Sequence, residues 1–222
     1  CYVSDAQFRD AAVYEELYDS ETVVSMKKHV GYMSAAHLEG RKAGSEGELL
    51  TAQYVKDAFK EYGVEILTPV TGEEFGIRTN AGDTLTSRNV IGYIEGYDRK
   101  LKDRFIVVGA RMDNLGSMTM TVDGKPVEKI FYGANGNASG VSVLIELARM
   151  IKTNSVLFRR SVLFVAFGAS AESFAGSWYF LNRSFGDAES IDAMINLDML
   201  GTGSNGFYAY TSSNADLNSL LS

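Results

Sequence analysis

The strongest fold signal in the chain lies at residues 105–113, Phe105-Ile106-Val107-Val108-Gly109-Ala110-Arg111-Met112-Asp113. Its first six residues are continuously apolar, which is typical of a strand buried on both faces of a sheet. Two further runs, 161–167 and 193–199, have the same character, and a helical pattern over 139–151 separates the first run from the second. Buried strands that alternate with helices predict a three-layer α/β/α domain around a central, largely parallel mixed sheet.

The remaining elements follow from periodicity and from end signals. A helix is predicted over 8–30, and a second helix begins at Ser45, with Glu48 placed for a capping box and Gly63 as its terminator. The other predicted elements are a strand pair in 64–80 with a turn near Thr71-Gly72, a strand over 88–95, a hairpin turn at Asp123-Gly124, a short helix over 174–181 and a fourth strand over 207–211. We divide the chain into an N-terminal helical segment, 1–34, and one α/β domain, 35–222.

Composition excludes several classes of function. The 222 residues carry a net charge of −7 without a run of Lys or Arg, which argues against nucleic acid and anionic membranes as partners. One cysteine allows no intrachain disulfide framework and no Cys-rich metal site. Two histidines leave little room for His-based metal chemistry.

Polar residues follow three of the predicted strands. In such sheets the ligand site lies beyond the carboxyl ends of the strands. Arg111 and Asp113 follow the first run, Ser170 and Glu172 the second, and Asp198 lies in the third. We expect these residues to converge on one crevice beside the loop over 133–140.

A series of motifs in a fixed order gives the chain a family resemblance. It comprises Leu38-Glu39-Gly40-Arg41, Arg88-Asn89-Val90-Ile91-Gly92, Ile106-Val107-Val108-Gly109-Ala110, the loop 133–140, Ala166-Phe167-Gly168-Ala169 and Ile195-Asn196-Leu197-Asp198-Met199. Over roughly residues 35–203 the chain resembles the secreted bacterial zinc aminopeptidases, a family that also holds glutamate carboxypeptidases and glutaminyl cyclases. The resemblance implies two zinc ions held by two His, two Asp and one Glu, with a second Glu as general base.

The first two ligand motifs depart from this pattern. Where the resemblance implies a zinc-binding His, the chain has Arg111, although Asp113, which would orient that His, is retained. Where it implies the Asp that bridges the two metals, the chain has Gly136, between Asn135 and Asn137.

The later ligand motifs are altered as well. The general-base position holds Ser170, the next ligand position holds Ala171, and Glu172 lies one residue further on. Only Asp198 stands at a retained ligand position. The family's last ligand is a His near the C-terminus, and no His follows His37, so we expect the chain to lack its C-terminal part.

Arg111 suggests what replaced the metals. A guanidinium is always charged and cannot ligate zinc. We predict an ion pair between Arg111 and Asp198, with Asp113 as a second candidate partner; the alternative is that Arg111 turns to solvent. Ser170 is a weak candidate for a hydrolytic nucleophile because the pattern Gly168-x-Ser170-x-Glu172 lacks the closing Gly. Both histidines, His29 and His37, are predicted at the surface or at helix ends.

Two functions stay open. The changed ligand positions favour a non-catalytic, aminopeptidase-like protein that has largely lost its di-zinc site, has no cofactor and binds a peptide or a protein partner. The alternative is a metal-dependent exopeptidase that removes N-terminal residues with rearranged zinc ligands. Cys1 is the first residue and the only cysteine. It is interpreted either as the lipidated cysteine of an exported, periplasmic or cell-surface lipoprotein, or as a simple chain boundary.

Overall fold

The computed structural model describes residues 2–3, 18–69, 72–78, 82–201, 208–209 and 219. Its strands are β1 (Tyr2–Val3), β2 (Glu65–Ile66), β3 (Glu73–Arg78), β4 (Thr84–Ile94), β5 (Phe105–Arg111), β6 (Ser117–Val122), β7 (Lys125–Ile130), β8 (Ser161–Phe167), β9 (Ile191–Asn196) and β10 (Tyr208–Ala209). Its helices are α1 (Glu21–Met33), α2 (Glu46–Glu61), α3 (Ser139–Thr153) and α4 (Ala175–Tyr179). Cys1 and the predicted helical positions 8–17 lie outside the described residues.

The predicted mixed sheet is confirmed. Its strand order is β2-β4-β8-β5-β9, with β3 also paired to β4. The strands β8, β5 and β9 run parallel, while β4 is antiparallel to β8, β2 and β3. The parallel part therefore brings the carboxyl ends of β5, β8 and β9 to one edge.

The predicted strand pair within 64–80 is wrong in its pairing. β2 and β3 do not pair with each other, because both are antiparallel to β4. β4 is 11 residues long, so it can accommodate the two short strands one after the other. Of the predicted turn, Thr71 lies outside the described residues.

Helices cover both faces of the sheet. On one face α1, α2 and α3 pack into the main core, whose fully buried members include Met33, Val55, Phe59, Leu144, Ile145 and, from the sheet, Val90, Ala110, Phe164 and Ala166. On the other face the turn after α4 contributes Phe180, which packs against Ile91, Val107, Leu163, Val165 and Phe167. The α/β/α layering follows from this arrangement.

The ends of α2 match the sequence signals, with one correction. Ser45 caps the helix by accepting the Glu48 amide at 3.3 Å, and Gly63 follows the last turn with φ +72°. In a capping box the Glu48 carboxylate would accept the Ser45 amide. Here it accepts the Gly44 amide instead. Its second oxygen is bonded to Ser87, so the carboxylate is drawn inward.

Two predictions at the end of the chain need correction. β9 is an edge strand rather than a buried one: Met194 is 45% exposed and Ile195 51%, because β9 pairs only with β5 among the described strands. β10 pairs antiparallel with β1 and not with the main sheet.

The Asp123-Gly124 turn is confirmed, since it joins β6 to β7 in an antiparallel hairpin. Within the described residues, no helix combines the length and the apolar character needed to cross a bilayer.

Candidate functional site

A small crevice lies at the carboxyl ends of the parallel strands. Arg111 is the last residue of β5 and lies beside Phe167, the last residue of β8. The loop after β8 and the segment after β9 complete the walls. The cavity has a volume of about 160 Å³ and is lined by Arg111, Phe167, Ser170, Phe174, Ser177, Met194, Asn196 and Asp198. Three of the predicted site residues, Arg111, Ser170 and Asp198, therefore meet at this cavity.

The predicted ion pair between Arg111 and Asp198 is confirmed. Arg111 Nε donates to Asp198 Oδ1 at 2.9 Å. The side chain of Arg111 is 25% exposed and that of Asp198 44%, so the pair lies at the mouth of the cavity. The alternative, an Arg111 side chain turned away to solvent, is not what the structure shows.

Asp113 does not share this pair, contrary to the second part of the prediction. It is fully buried, and its two carboxylate oxygens accept the amides of Ser170, at 2.8 Å, and Ala171, at 3.0 Å. Burial raises the pKa of Asp113, although these hydrogen bonds oppose the rise. Its role is to fix the loop after β8, and Glu172 follows at a half-buried position that does not line the cavity.

Asn137 connects the loop 133–140 to both neighbouring strand ends. Its buried amide nitrogen donates to the carbonyls of Arg111, at 3.2 Å, and Leu197, at 2.9 Å. Its oxygen accepts the amides of Gly140, at 3.1 Å, and Met199, at 2.8 Å. All the hydrogen-bonding groups of this side chain are thus used within the protein.

The neighbouring positions 135 and 136 lie beside the crevice without lining the cavity. Asn135 Oδ1 accepts from Ser139 Oγ and from the Gly201 amide, which joins the start of α3 to the segment after β9. A Cβ placed on Gly136 would lie 4.0 Å from Arg111 Nη2. The guanidinium therefore extends toward the space that a side chain at position 136 would enter.

Arg41 is the main structural residue that the sequence analysis missed. It is 1% exposed, and its guanidinium donates to five carbonyls: those of Met33, Met112 at 3.0 Å, Tyr132 at 2.9 Å, Gly133 at 3.0 Å and Gly136 at 3.3 Å. Burial lowers the pKa of Arg41 to about 10. The available signal was a cation within the Leu38-Glu39-Gly40-Arg41 motif, shortly before the amphipathic helix α2.

Glu48 is a second buried charged group near the crevice. Its carboxylate accepts from Ser87 Oγ at 2.5 Å and from the Gly44 amide at 2.7 Å. A Cβ on Gly168, the first residue of the loop after β8, would lie 2.7 Å from Glu48 Oε1. Burial raises the pKa of Glu48 to about 7, although both hydrogen bonds oppose the rise.

His29 lies neither at the surface nor at the end of α1, contrary to the prediction. It is 3% exposed, and its ring nitrogens lie 2.8 Å from Tyr54 Oη and 3.2 Å from Ser25 Oγ. Ser25 in turn donates to Glu146, which links α1 to α3. Burial lowers the pKa of His29, and the Glu146 carboxylate partly offsets this effect. His37 is exposed, as predicted.

Within the described part of the chain, no group of three or more His, Cys, Asp or Glu side chains is arranged to hold a metal ion.

The chain is similar to several known proteins. It is 32% identical over 131 residues to the aminopeptidase YwaD of Bacillus subtilis (strain 168). This match covers 59% of this chain and 25% of that protein. It is 26% identical over 174 residues to the alkaline phosphatase isozyme conversion protein of Escherichia coli (strain K12), covering 76% of this chain and 49% of that one. The chain thus spans a quarter to a half of the length of these relatives.

Among solved structures, a Zn-dependent exopeptidase from Parabacteroides distasonis superposes with a TM-score of 0.61. The match covers 80% of this chain and 61% of that one at 18% sequence identity, which indicates a common fold. The sequence model of peptidase family M28 matches residues 89–221, more than half of the chain. The protein therefore belongs to peptidase family M28.

Proposed function

We propose that this member of family M28 has lost the two-zinc centre and binds a peptide or protein ligand in the crevice without hydrolysing it. In this proposal the protein keeps the fold and the crevice of the family but lacks the activity that cleaves peptide bonds. The proposal concerns the described domain and the ligand positions within it.

One observation carries the proposal: Arg111 occupies the position expected of a zinc-binding His and is paired with Asp198 at 2.9 Å. A guanidinium has no lone pair to offer a metal and keeps its positive charge at any working pH. It would repel a dication at that point. It also uses one oxygen of Asp198, the retained ligand position.

The other expected ligand positions support the proposal through their chemistry. Gly136 and Ala171 have no donor atom in the side chain, and Ser170 offers only a neutral hydroxyl. A general base must accept a proton from water near neutral pH, which an unassisted serine does not do. Asp113 is fully buried, does not line the cavity, and each of its oxygens accepts one loop amide, from Ser170 and Ala171. The donor set does not fit a two-zinc centre.

The test is elemental analysis of the purified full-length protein together with an aminopeptidase assay on leucyl and alanyl anilides. We expect substoichiometric zinc and no turnover that depends on added zinc. The control variant Arg111→Ala removes the cation without adding a ligand, and it should stay inactive because positions 136, 170 and 171 remain changed.

The alternative, a metal-dependent exopeptidase with rearranged ligands, rests on Asp198. Its Oδ2 makes no hydrogen bond to the described residues, and the side chain is 44% exposed, so a cation could reach it. Stoichiometric zinc together with turnover abolished by chelation would establish this alternative and overturn the proposal.

A further inference from the structure

We propose that the crevice recognises a carboxylate that carries an apolar substituent, bound by the two terminal nitrogens of Arg111. This inference rests on the proposed function and specifies its ligand class. The ligand is either a free acid of about one residue in size or the carboxyl terminus of a peptide.

The donors come from one pre-oriented guanidinium. Arg111 Nε is engaged by Asp198, and neither Nη1 nor Nη2 forms a hydrogen bond with the described residues. Arg111 lines the cavity, and the bond from Nε to Asp198 restrains the plane of its guanidinium, which carries two parallel N–H groups on the terminal nitrogens. A carboxylate matches such a fork with two charge-assisted hydrogen bonds. Asn196 lines the same cavity and adds a polar side chain beside it.

Part of the cavity lining is apolar, and two of its apolar side chains are open to solvent. Phe174 is 68% exposed and Met194 is 45% exposed, while Phe167 closes the floor at 3% exposure. Exposed apolar side chains beside a cavity offer apolar surface that a ligand can cover. A volume of about 160 Å³ is below that of drug-sized pockets and suits a single apolar side chain with its carboxylate.

The backbone that carries Phe174 is held in an unusual conformation. Ser173 and Phe174 are consecutive non-glycine residues in the left-handed region, with φ of +57° and +58°. Such conformations are unfavourable for residues with a Cβ and are concentrated at ligand-binding sites. Here the conformation places the Phe174 ring at the mouth of the cavity, although an aromatic side chain would ordinarily be more stable when buried.

Asp198 provides a test, because the inference predicts whether removing its charge strengthens or weakens carboxylate binding. Its negative charge lies on the same guanidinium and opposes a second carboxylate there. Removing that charge while keeping the shape, as in Asp198→Asn, should therefore strengthen binding of a carboxylate. If the pair had a purely structural role, Asp198→Asn would instead weaken carboxylate binding, as Arg111→Gln would, because either substitution would break the pair that shapes the crevice.

The experiment is calorimetric titration of the full-length protein with four probes: N-acetyl-leucine, leucine amide, a tetrapeptide ending in leucine with a free carboxyl terminus, and its amide. We expect binding of the two acids and none of the two amides. If only the peptide acid binds, the ligand is a peptide terminus, and if both acids bind equally, one residue suffices. Arg111→Gln should weaken the acids about tenfold or more, and Asp198→Asn should tighten them several-fold.

Two controls separate this inference from the proposed function. Arg159→Gln removes an exposed arginine paired with Asp98 elsewhere on the protein and should leave binding unchanged. All titrations are repeated in EDTA, since Arg111-dependent binding survives chelation and metal-dependent binding does not. Equal binding of acids and amides, no binding of the acids, or weaker binding in Asp198→Asn would overturn the inference, even if the protein proves free of zinc and inactive.

Discussion

Replacing Glu48 by Gln should change the pH dependence of stability by a predictable amount. Glu48 is fully buried, and its pKa in the folded protein is about 7 against an ordinary value of 4.5. The folded protein therefore retains this proton up to a higher pH than the unfolded chain. The stabilising contribution is complete below pH 4.5 and is lost as the pH rises through 7.

The size of the effect follows from that pKa difference. At about 1.4 kcal/mol per pH unit, the interval from 4.5 to 7 corresponds to a loss of about 3 kcal/mol from the free energy of unfolding. In Glu48→Gln this term is absent. Gln can accept the Gly44 amide through its oxygen and donate through its amide nitrogen to Ser87 Oγ, and any remaining constant penalty of the substitution does not depend on pH.

The assay is urea denaturation of the parent and of Glu48→Gln at about pH 4.5 and about pH 8. Relative to the parent, the variant should gain about 3 kcal/mol between the two conditions, whatever its constant penalty. Glu46→Gln, an exposed substitution in the first turn of the same helix, serves as the matched control. A parent–variant difference that is the same at both pH values would refute the reasoning. If the variant does not fold, NMR titration of the Glu48 carboxyl carbon in the parent gives the same answer.

Three further predictions concern other buried polar groups. Arg41→Met removes a donor to five carbonyls and should cost at least about 3 kcal/mol of unfolding free energy by urea denaturation, with Arg41→Lys restoring part of it; an unchanged midpoint would contradict this assignment. Asp113→Asn can accept only one of the Ser170 and Ala171 amides and should cost about 1–3 kcal/mol, measured as a fall in Tm. Because burial lowers the pKa of His29, its contribution to stability is present above 6.5 and is lost as the pH falls through the folded-state value. His29→Gln should therefore flatten the acid limb of the stability profile, and an acid limb of unaltered slope would argue against this assignment.

The fold could be predicted largely from local signals. The apolar run at 105–110 and the cap at Ser45 are decided by neighbouring residues, so they survive in the structure. Strand pairing within 64–80 was not predictable in the same way. Which edge a short strand joins depends on the length of β4, a distant element, and not on the turn beside it.

The contacts of the candidate site likewise fall into those that the sequence predicts and those that it does not. The pair between Arg111 and Asp198 could be predicted because two opposite charges at adjacent strand ends satisfy each other. The partners of Asp113 and Arg41 could not be predicted, because nearly every residue has a backbone amide and carbonyl and the sequence does not show which of them a side chain will bind. His29 was misplaced since burial on α1 depends on contacts with α2 and α3, which its own helix pattern does not encode.

The contacts of Arg41 have a consequence for how this cleft tolerates change. In many small metal-binding domains the ion supplies the free energy that orders the loops around it. In this protein side chains hold the loops to one another: the Arg41 guanidinium donates to carbonyls of three segments, and Asp113 and Asn137 add further hydrogen bonds. Because these bonds run from buried side chains to backbone groups, exposed residues at the mouth can be exchanged while the walls keep their hydrogen bonds.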